Sequence, residues 1–407
     1  MAEPMHGTLD IRQRPEDHFL DAIRDRFPVE AEIDRTLSRK MRLRASGDVY
    51  AAHSLDSLIE GTASLIRANV GDDFTISNAR WLTGGASKIQ VAFELEWQDG
   101  SARRQAPMVL RMEPNESVVE TSRKREFELL QALDGVVPVP PCFWVDPDGE
   151  HLPHPALIYG FAQGVTKPSD LPSQQVTGIG LNYGPKLRAP ITAQFIEHMA
   201  RFHRMGAELA PRLPSFDGVE VGSNASVIRL VNWWRRVWEE DRAHDEPLMT
   251  VAYDWLIANA PPIDHVSLVH GDCRAGNFLF TEHDARITAW LDWELALLGD
   301  RHQDLAWSMM DPYSHSNEEG TAQLINGMLP YDDYIAAYEK ASGLTVDPAR
   351  LAYYRVLCSY LSVSICLGTG YRVAKGAKTH QDIVVSWLAM ISYPIMEQLR
   401  GTLKEVL

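Results

Sequence analysis

The chain has 407 residues, 45% of them apolar and 23% charged. This is the balance of a globular protein with two to three lobes, and it excludes disordered and collagen-like chains. Thirty-nine Lys and Arg stand against fifty-five Asp and Glu, a net charge of −16. So acidic a chain lacks the positive field that phosphate backbones and anionic lipid attract, so neither nucleic acid nor membrane is expected as a partner. No stretch reads as long and apolar enough to span a bilayer, and the first residues lack the apolar core of a signal peptide. Cys142, Cys273, Cys358 and Cys366 fall at unrelated spacings with no Cys-x-x-Cys, which reads as reduced thiols in a cytoplasm.

Residues 1–75 read as a helical extension. Ser54 can cap a helix whose apolar face is Leu55, Leu58, Ile59, Leu65 and Ile66. The plain expectation is packing against the body of the protein or against a second copy, a possible homodimer. From residue 76 the texture becomes that of a sheet. Residues 89–97 alternate as a strand, Gln98–Ser101 form a hairpin turn, and residues 108–112 make a second strand. A helix is expected over 122–133, a chain break at Pro138–Pro141, and a strand over 155–159. Residues 166–190 are rich in Pro, Gly, Ser and Gln and read as loop. Helices then follow: one capped by Thr192 and running to Leu209, and a stretch over 225–259 with Trp233, Trp234, Trp238 and Trp255. Further helices fall at 331–342 and 349–400. The tryptophan stripe reads as core.

One segment interrupts the helices. Residues 265–292 contain two apolar strands around a polar loop, and a strand before the loop delivers His270-Gly271-Asp272 to it. Asn277 opens the next strand, a turn lies at 281–285, and the last strand ends on Asp292. This predicts Asp272, Asn277 and Asp292 at one end of a small sheet. Phosphoryl transfer from ATP needs three such groups: a carboxylate to orient and deprotonate the attacking hydroxyl, and an amide oxygen with a second carboxylate to hold Mg²⁺.

His270-Gly271-Asp272-x4-Asn277, with Asp292-Trp-Glu294 and Gly299-Asp300-x3-Asp304 behind it, resembles the aminoglycoside phosphotransferase family. The wording around Arg274 and Gly276–Phe280 is similar to the hydroxyacyl-type branch, whose members occur alone or fused to acyl-CoA dehydrogenases. The resemblance covers about residues 76–400. It implies an α+β, bilobal, protein-kinase-like fold, with a small nucleotide-binding lobe over 76–162 and a large, mainly helical lobe over 163–407. It also implies transfer of the γ-phosphoryl group of ATP to a hydroxyl of a small molecule, with Mg²⁺ as cofactor.

Residue roles follow from the same resemblance. Asp272 is the catalytic base, and Asn277 and Asp292 are the metal ligands. Gly84, Gly85 and Ser87 belong to the phosphate-covering loop. Arg111 stands where kinases place a lysine on the α- and β-phosphates, and Glu126 pairs with it. Gly160 and Ala162 offer backbone groups to adenine. His270 and Asp304 are expected to brace the catalytic loop and Cys273 to be a packing thiol. Glu294 is expected either to reach metal through water or to bond the loop. Arg274 is open between an anion contact and an ordinary surface role. Three rivals stand beside this reading. An aminoglycoside or macrolide kinase would want an acidic cleft, which Asp311, Glu318 and Glu319 could line. A metal-dependent hydrolase would use His270, Asp272, His302 and Asp304. A pseudokinase would bind nucleotide without turnover.

Overall fold

The computed structural model describes residues 10–47, 52–82, 87–114, 116–170, 179–376, 386 and 388–407. Helices α1 (Asp17–Arg26), α2 (Ala31–Ser46) and α3 (Leu55–Val70) precede the first strand. Ser54 caps α3 by accepting the Ser57 N–H at 3.1 Å. The small-lobe sheet is antiparallel in the order β1-β2-β3-β5-β4. Its strands are β1 (Phe74–Trp81), β2 (Ile89–Asp99), β3 (Ala102–Met112), β4 (Cys142–Asp146) and β5 (Ala156–Gly160). The strand directly after the Pro138–Pro141 break is one that the sequence pattern did not predict.

Strand periodicity decides which way each β3 side chain faces. Met108, Leu110 and Met112 join Leu58, Leu65 and Ile66 of α3 in one buried cluster. The pleat therefore turns Arg111 to the opposite face, toward helix α4 (Arg123–Leu133) and its Glu126. Ser122 caps α4 by accepting the Arg125 N–H at 3.3 Å. The N-terminal helices are divided between the two lobes. Helix α3 belongs to the small-lobe core, while Ile33 and Leu37 of α2 are buried in the large-lobe core with Leu129, Leu130 and Leu133 of α4.

The large lobe contains α5 (Gly184–Arg204), α6 (Gly206–Leu209), α7 (Ala225–Asp241), α8 (Pro247–Ala258), α9 (His302–Ser308), α10 (Tyr331–Ser342) and α11 (Pro348–Val363). A π-helical turn, Ser364–Gly370, carries α11 into α12 (Tyr371–Gly376), and α13 (Ser392–Lys404) follows. Thr192 is not a cap: α5 starts at Gly184, and Thr192 is buried within it. The early start was hidden by Pro185, which is tolerated in a first helical turn because the N–H it lacks has no partner there. Trp233, Trp234 and Trp238 are core residues, and Trp255 is half-buried. The expectation that no stretch is apolar and long enough to cross a bilayer is corrected. The helical run Pro348–Ala374 is both, and 83% of its most apolar window is buried in the protein.

The interrupting segment forms two ladders where one small sheet was expected. Strand β6 (Ser267–Val269) pairs with β9 (Leu297–Gly299), and β7 (Phe278–Thr281) pairs with β8 (Arg286–Trp290). Strand β8 stops before Asp292 because that residue is left-handed, at φ 64° and ψ 44°, which no ladder accommodates.

Candidate active site

The loop between β6 and β7 presents Asp272. Its Oδ1 accepts from Trp307 Nε1 at 2.6 Å and Arg274 Nε at 2.8 Å, and its Oδ2 accepts from Asn277 Nδ2 at 2.6 Å. A carboxylate offers about four lone-pair sites. Three are taken, so the carboxylate is fixed in orientation with one site on Oδ2 left over among the described residues. Asn277 Nδ2 also donates to the Asp272 carbonyl at 2.9 Å, which turns its amide oxygen away from Asp272.

Asp304, fully buried on α9, holds the loop backbone. It accepts the His270 N–H at 2.7 Å and the Gly271 N–H at 2.9 Å, and it pairs with His203 Nε2 at 3.0 Å. His270 Nε2 bonds the Leu291 carbonyl at 2.9 Å, so it must be the protonated nitrogen, and Nδ1 accepts the Asp272 N–H at 3.3 Å. His270 thereby ties the catalytic loop to the residue before Asp292. Gly271 lies at φ +83°, and a Cβ there would meet the Leu295 carbonyl oxygen at 2.4 Å. Cys273 is buried against Met199, and burial raises its thiol pKa, the state of a packing residue.

Across the cleft, Arg111 Nη2 donates to Asp292 Oδ1 and lies 3.1 Å from Glu294 Oε2. Arg111 Nε is 3.4 Å from Glu126, an ion pair but too long and misaligned for a hydrogen bond. Far from being a surface pair, Arg111 and Glu126 are 6% and 3% exposed at the side chain. Glu126 makes its closer contact with Arg123, also fully buried.

Glu294 is the hub of this cluster. It accepts from Ser87 Oγ at 2.9 Å, and from Thr121 Oγ1 and Arg123 Nη2 at 3.1 Å. Lys88 Nζ also approaches it to 3.1 Å. Burial raises the pKa of Glu294, but Lys88, Arg111 and Arg123 outweigh burial and hold the carboxyl well below the usual range. Of its two expected roles, the structure shows Glu294 bonding the loop at Ser87. Ser87 was expected to donate to phosphate; in this structure its hydroxyl donates to Glu294. Gly84 and Gly85 lie outside the described residues.

At the hinge, Tyr159-Gly160-Phe161-Ala162, the Gly160 N–H donates to the Pro141 carbonyl at 2.8 Å and the Phe161 N–H to the Pro107 carbonyl at 2.8 Å. The expectation for Gly160 therefore narrows to its carbonyl, since Pro141, just before β4, has taken its N–H.

The hydrolase arrangement does not form. His302 Nδ1 pairs with Asp300 at 2.5 Å and its Nε2 accepts the Asp347 N–H, so neither nitrogen faces Asp272. Among the described residues no group of three or more His, Cys, Asp or Glu is placed to hold a metal ion. Mg²⁺ needs less from a protein, since it keeps waters and takes phosphate oxygens. The Asn277 amide oxygen and the Asp292 carboxylate, 34% exposed, are hard oxygens of the kind that suit it. For the antibiotic-kinase rival, Glu318 is occupied by Arg188.

Three positions bonded to or paired with the candidate site residues escaped the sequence reading. Trp307 lies one turn beyond Asp304 on α9, so both reach the same loop; that i, i+3 spacing was the available signal. Lys88 follows the glycine-rich loop and is wholly buried, bonding Ser117 Oγ at 2.9 Å and the Val119 carbonyl at 2.7 Å. Arg123 precedes Glu126 by three residues, again a shared helix face. Arg274 is resolved as a partner of Asp272, with its guanidinium 5.4 Å from the Tyr313 ring centroid.

With this geometry in place, similarity to known proteins is informative. A family model described as the phosphotransferase enzyme family (APH) matches residues 92–354, and the chain belongs to that family. Mouse acyl-CoA dehydrogenase family member 10 is 28% identical over 215 residues, 52% of this chain and 19% of that protein. Human acyl-CoA dehydrogenase family member 11 is 24% identical over 300 residues, 71% of this chain and 36% of that protein. The chain thus spans little more than a third, or less, of the curated relatives it matches. Among solved structures, a candidate aminoglycoside phosphotransferase from Ralstonia eutropha is 21% identical, with a TM-score of 0.60 over 85% of this chain and 98% of that one. The fold is α+β, bilobal and protein-kinase-like, of the aminoglycoside phosphotransferase type.

Proposed function

We propose that this phosphotransferase binds ATP with Mg²⁺ between its lobes and moves the γ-phosphoryl group to a hydroxyl of a small molecule, a hydroxy acid or hydroxyacyl thioester. One observation carries this reading. Asp272 is held by three donors with a lone pair to spare, while Arg111 and Asp292 meet across the cleft beside it. A base, a phosphate-binding cation and a metal-binding carboxylate are thereby supplied by the two lobes together.

Asp272 accepts the proton of the acceptor hydroxyl at its open Oδ2 site. Trp307, Arg274 and Asn277 prevent the carboxylate from turning away. Asn277 and Asp292 hold Mg²⁺, which when bound neutralises charge on the transferring phosphates. Arg111 contacts the α- and β-phosphates, and Glu126 keeps the arginine near them. The Gly160 carbonyl and the Ala162 backbone face adenine. The acyl thioester suggestion rests on the relatives' naming as acyl-CoA dehydrogenase family members. A reducing, cytoplasmic setting agrees with four cysteines free of disulfides.

The test is ADP release over hydroxy acids, hydroxyacyl-CoAs, amino alcohols, sugars and antibiotics, followed by two variants. Asp272→Asn should keep MgATP binding and lose about 10²–10⁴-fold in turnover. Asp292→Ala should lose most of the effect of Mg²⁺ on nucleotide affinity. Turnover near wild type in the first variant removes the base role. Tight nucleotide binding with no acceptor and no hydrolysis supports the pseudokinase.

A further inference from the structure

Among the described residues no hydrogen bond or ion pair joins helix α2 to Asp272, Asn277, Asp292, Arg111 or Glu126, yet its polar side chains converge on the segment that leads to Glu126. Glu32 accepts a hydrogen bond from the hydroxyl of Ser122, the residue that caps α4. Glu30, at the start of α2, pairs with Arg125 at 2.9 Å. Arg44, near its end, bonds Glu116 at 3.1 Å on the small-lobe side and Asp241 at 2.9 Å on α7. Lys40, fully buried, lies 3.1 Å from both Glu240 and Asp241. The helix is therefore anchored to the large lobe by Lys40 and Arg44, and from there it holds residues 116–125.

Those ten residues lead directly to the phosphate end of the site. Glu126 is in the first turn of α4, four residues after the Ser122 cap that Glu32 grips. Ser117 and Val119 bond Lys88, and Thr121 bonds Glu294. A helix is stiff along its axis and frays at an end whose cap is lost. A shift at Ser122 is thus delivered one turn later to Glu126, and through Glu126 to Arg111 at 3.4 Å. The hinge strand β5, by contrast, receives no hydrogen bond from α2 among the described residues.

We propose that α2 is a positioning element for nucleotide phosphate binding, with Glu30 and Glu32 fixing the N-terminus of α4 and hence the Glu126–Arg111 pair. This rests on the reading of Arg111 as a phosphate contact. The expectation is specific: loosening α2 weakens recognition of phosphates and leaves recognition of adenine as it was.

Calorimetric titration of the full chain with ATP, ADP and adenosine tests it, for wild type, Glu32→Ala, Arg111→Ala and the double variant. Glu32→Ala should weaken ATP and ADP roughly 3- to 10-fold, the scale on which residues remote from a ligand modulate its binding. Adenosine should be unaffected. In the Arg111→Ala background, Glu32→Ala should add little, because both losses pass through the same guanidinium. Equal weakening of adenosine, or full additivity of the two variants, overturns the proposal and makes α2 a general scaffold. If Glu32→Ala fails to fold, Glu30→Gln, which removes the Arg125 ion pair at a more exposed position, carries the same expectations. ATP binding by wild type with no loss in Arg111→Ala removes the phosphate role of Arg111 itself. A wild-type chain that binds no ATP overturns the functional reading and this proposal together, and is seen before any variant is made.

Discussion

Glu294→Gln probes the buried cluster that joins the lobes. Lys88, Arg111 and Arg123 are 0%, 6% and 0% exposed at the side chain, and the carboxylates buried among them are Glu113, Glu126 and Glu294 at 3%, 3% and 8%. Three buried cations thus face three buried anions, with Asp292 at the rim. Removing one partner of a buried ion pair costs about 3–5 kcal/mol, because the remaining charge stays desolvated. Here Asp292 can compensate in part, which places the expected loss near the lower end, about 3 kcal/mol. The pH dependence gives a second check. Glu294 has a depressed pKa in the folded protein, so its contribution is complete above the ordinary glutamate value of 4.5 and fades as pH falls below it. Glutamine does not titrate, so the stability gap between wild type and variant should hold from pH 6 down to about 4.5 and narrow as pH falls below that. Urea unfolding followed by tryptophan fluorescence at a series of pH values measures both. A gap under about 1 kcal/mol, the size of a surface pair, refutes the buried-hub account. A gap that does not change with pH refutes the assignment of the charge to Glu294.

Arg111→Ala should weaken ATP and ADP about 10- to 100-fold, as loss of a hydrogen bond between charged groups predicts, with adenosine affected little. Arg111→Lys should recover part of this, since an ammonium cannot reproduce the planar fork; titration with the three compounds decides, and unchanged ATP affinity makes Arg111 a bystander. Trp307→Phe should lower kcat by about 10-fold while leaving nucleotide affinity intact, because it removes one of three donors that orient Asp272 and touches nothing else in the nucleotide site. An equal fall in nucleotide affinity would show that the indole supports the lobe interface instead.

Much of the site was legible because it lies on short, contiguous patterns. His270-Gly271-Asp272-x4-Asn277 occupies one loop, and the spacing alone brings Asn277 back to within 2.6 Å of Asp272. Arg111 was legible only through the resemblance, and strand alternation accounts for its side of the sheet, opposite Met108, Leu110 and Met112. The misses have a common origin in tertiary context. The bond of Ser87 to Glu294 could not be foreseen, because only the fold brings the two together from 207 residues apart. Lys88 is an ordinary surface residue by composition, and only Glu113 and Glu294 make its burial tolerable. The start of α5 was obscured by Pro185, in a first turn whose N–H groups have no helical partner, and by Pro190, which lies inside the helix against its propensity. The halves of the N-terminal extension could not be assigned to lobes, since amphipathic periodicity names a buried face but not what buries it.

The Arg111–Asp292 pair links a β3 side chain to one from the segment after β8 and so bridges the cleft. On the proposed function these two residues are meant for different ligands: Arg111 for phosphate oxygens and Asp292 for the cation on them. Asp292 must therefore give up a guanidinium and gain a divalent cation, while Arg111 gives up a carboxylate and gains phosphate. If only phosphate enters, Asp292 is left facing anionic oxygens; if only the cation enters, Arg111 is left facing it. Each half-exchange brings like charges together, and the full exchange does not. Exposure shows which carboxylate is free to make it. Asp292 is 34% exposed, whereas Glu126 and Glu294 are 3% and 8% exposed and have other cationic partners in the cluster. Those two stay with Arg111 throughout and keep the guanidinium charged and in place. The left-handed backbone at Asp292 places the residue outside β8, at the start of the turn Trp293–Leu295 that carries Glu294 into the buried cluster.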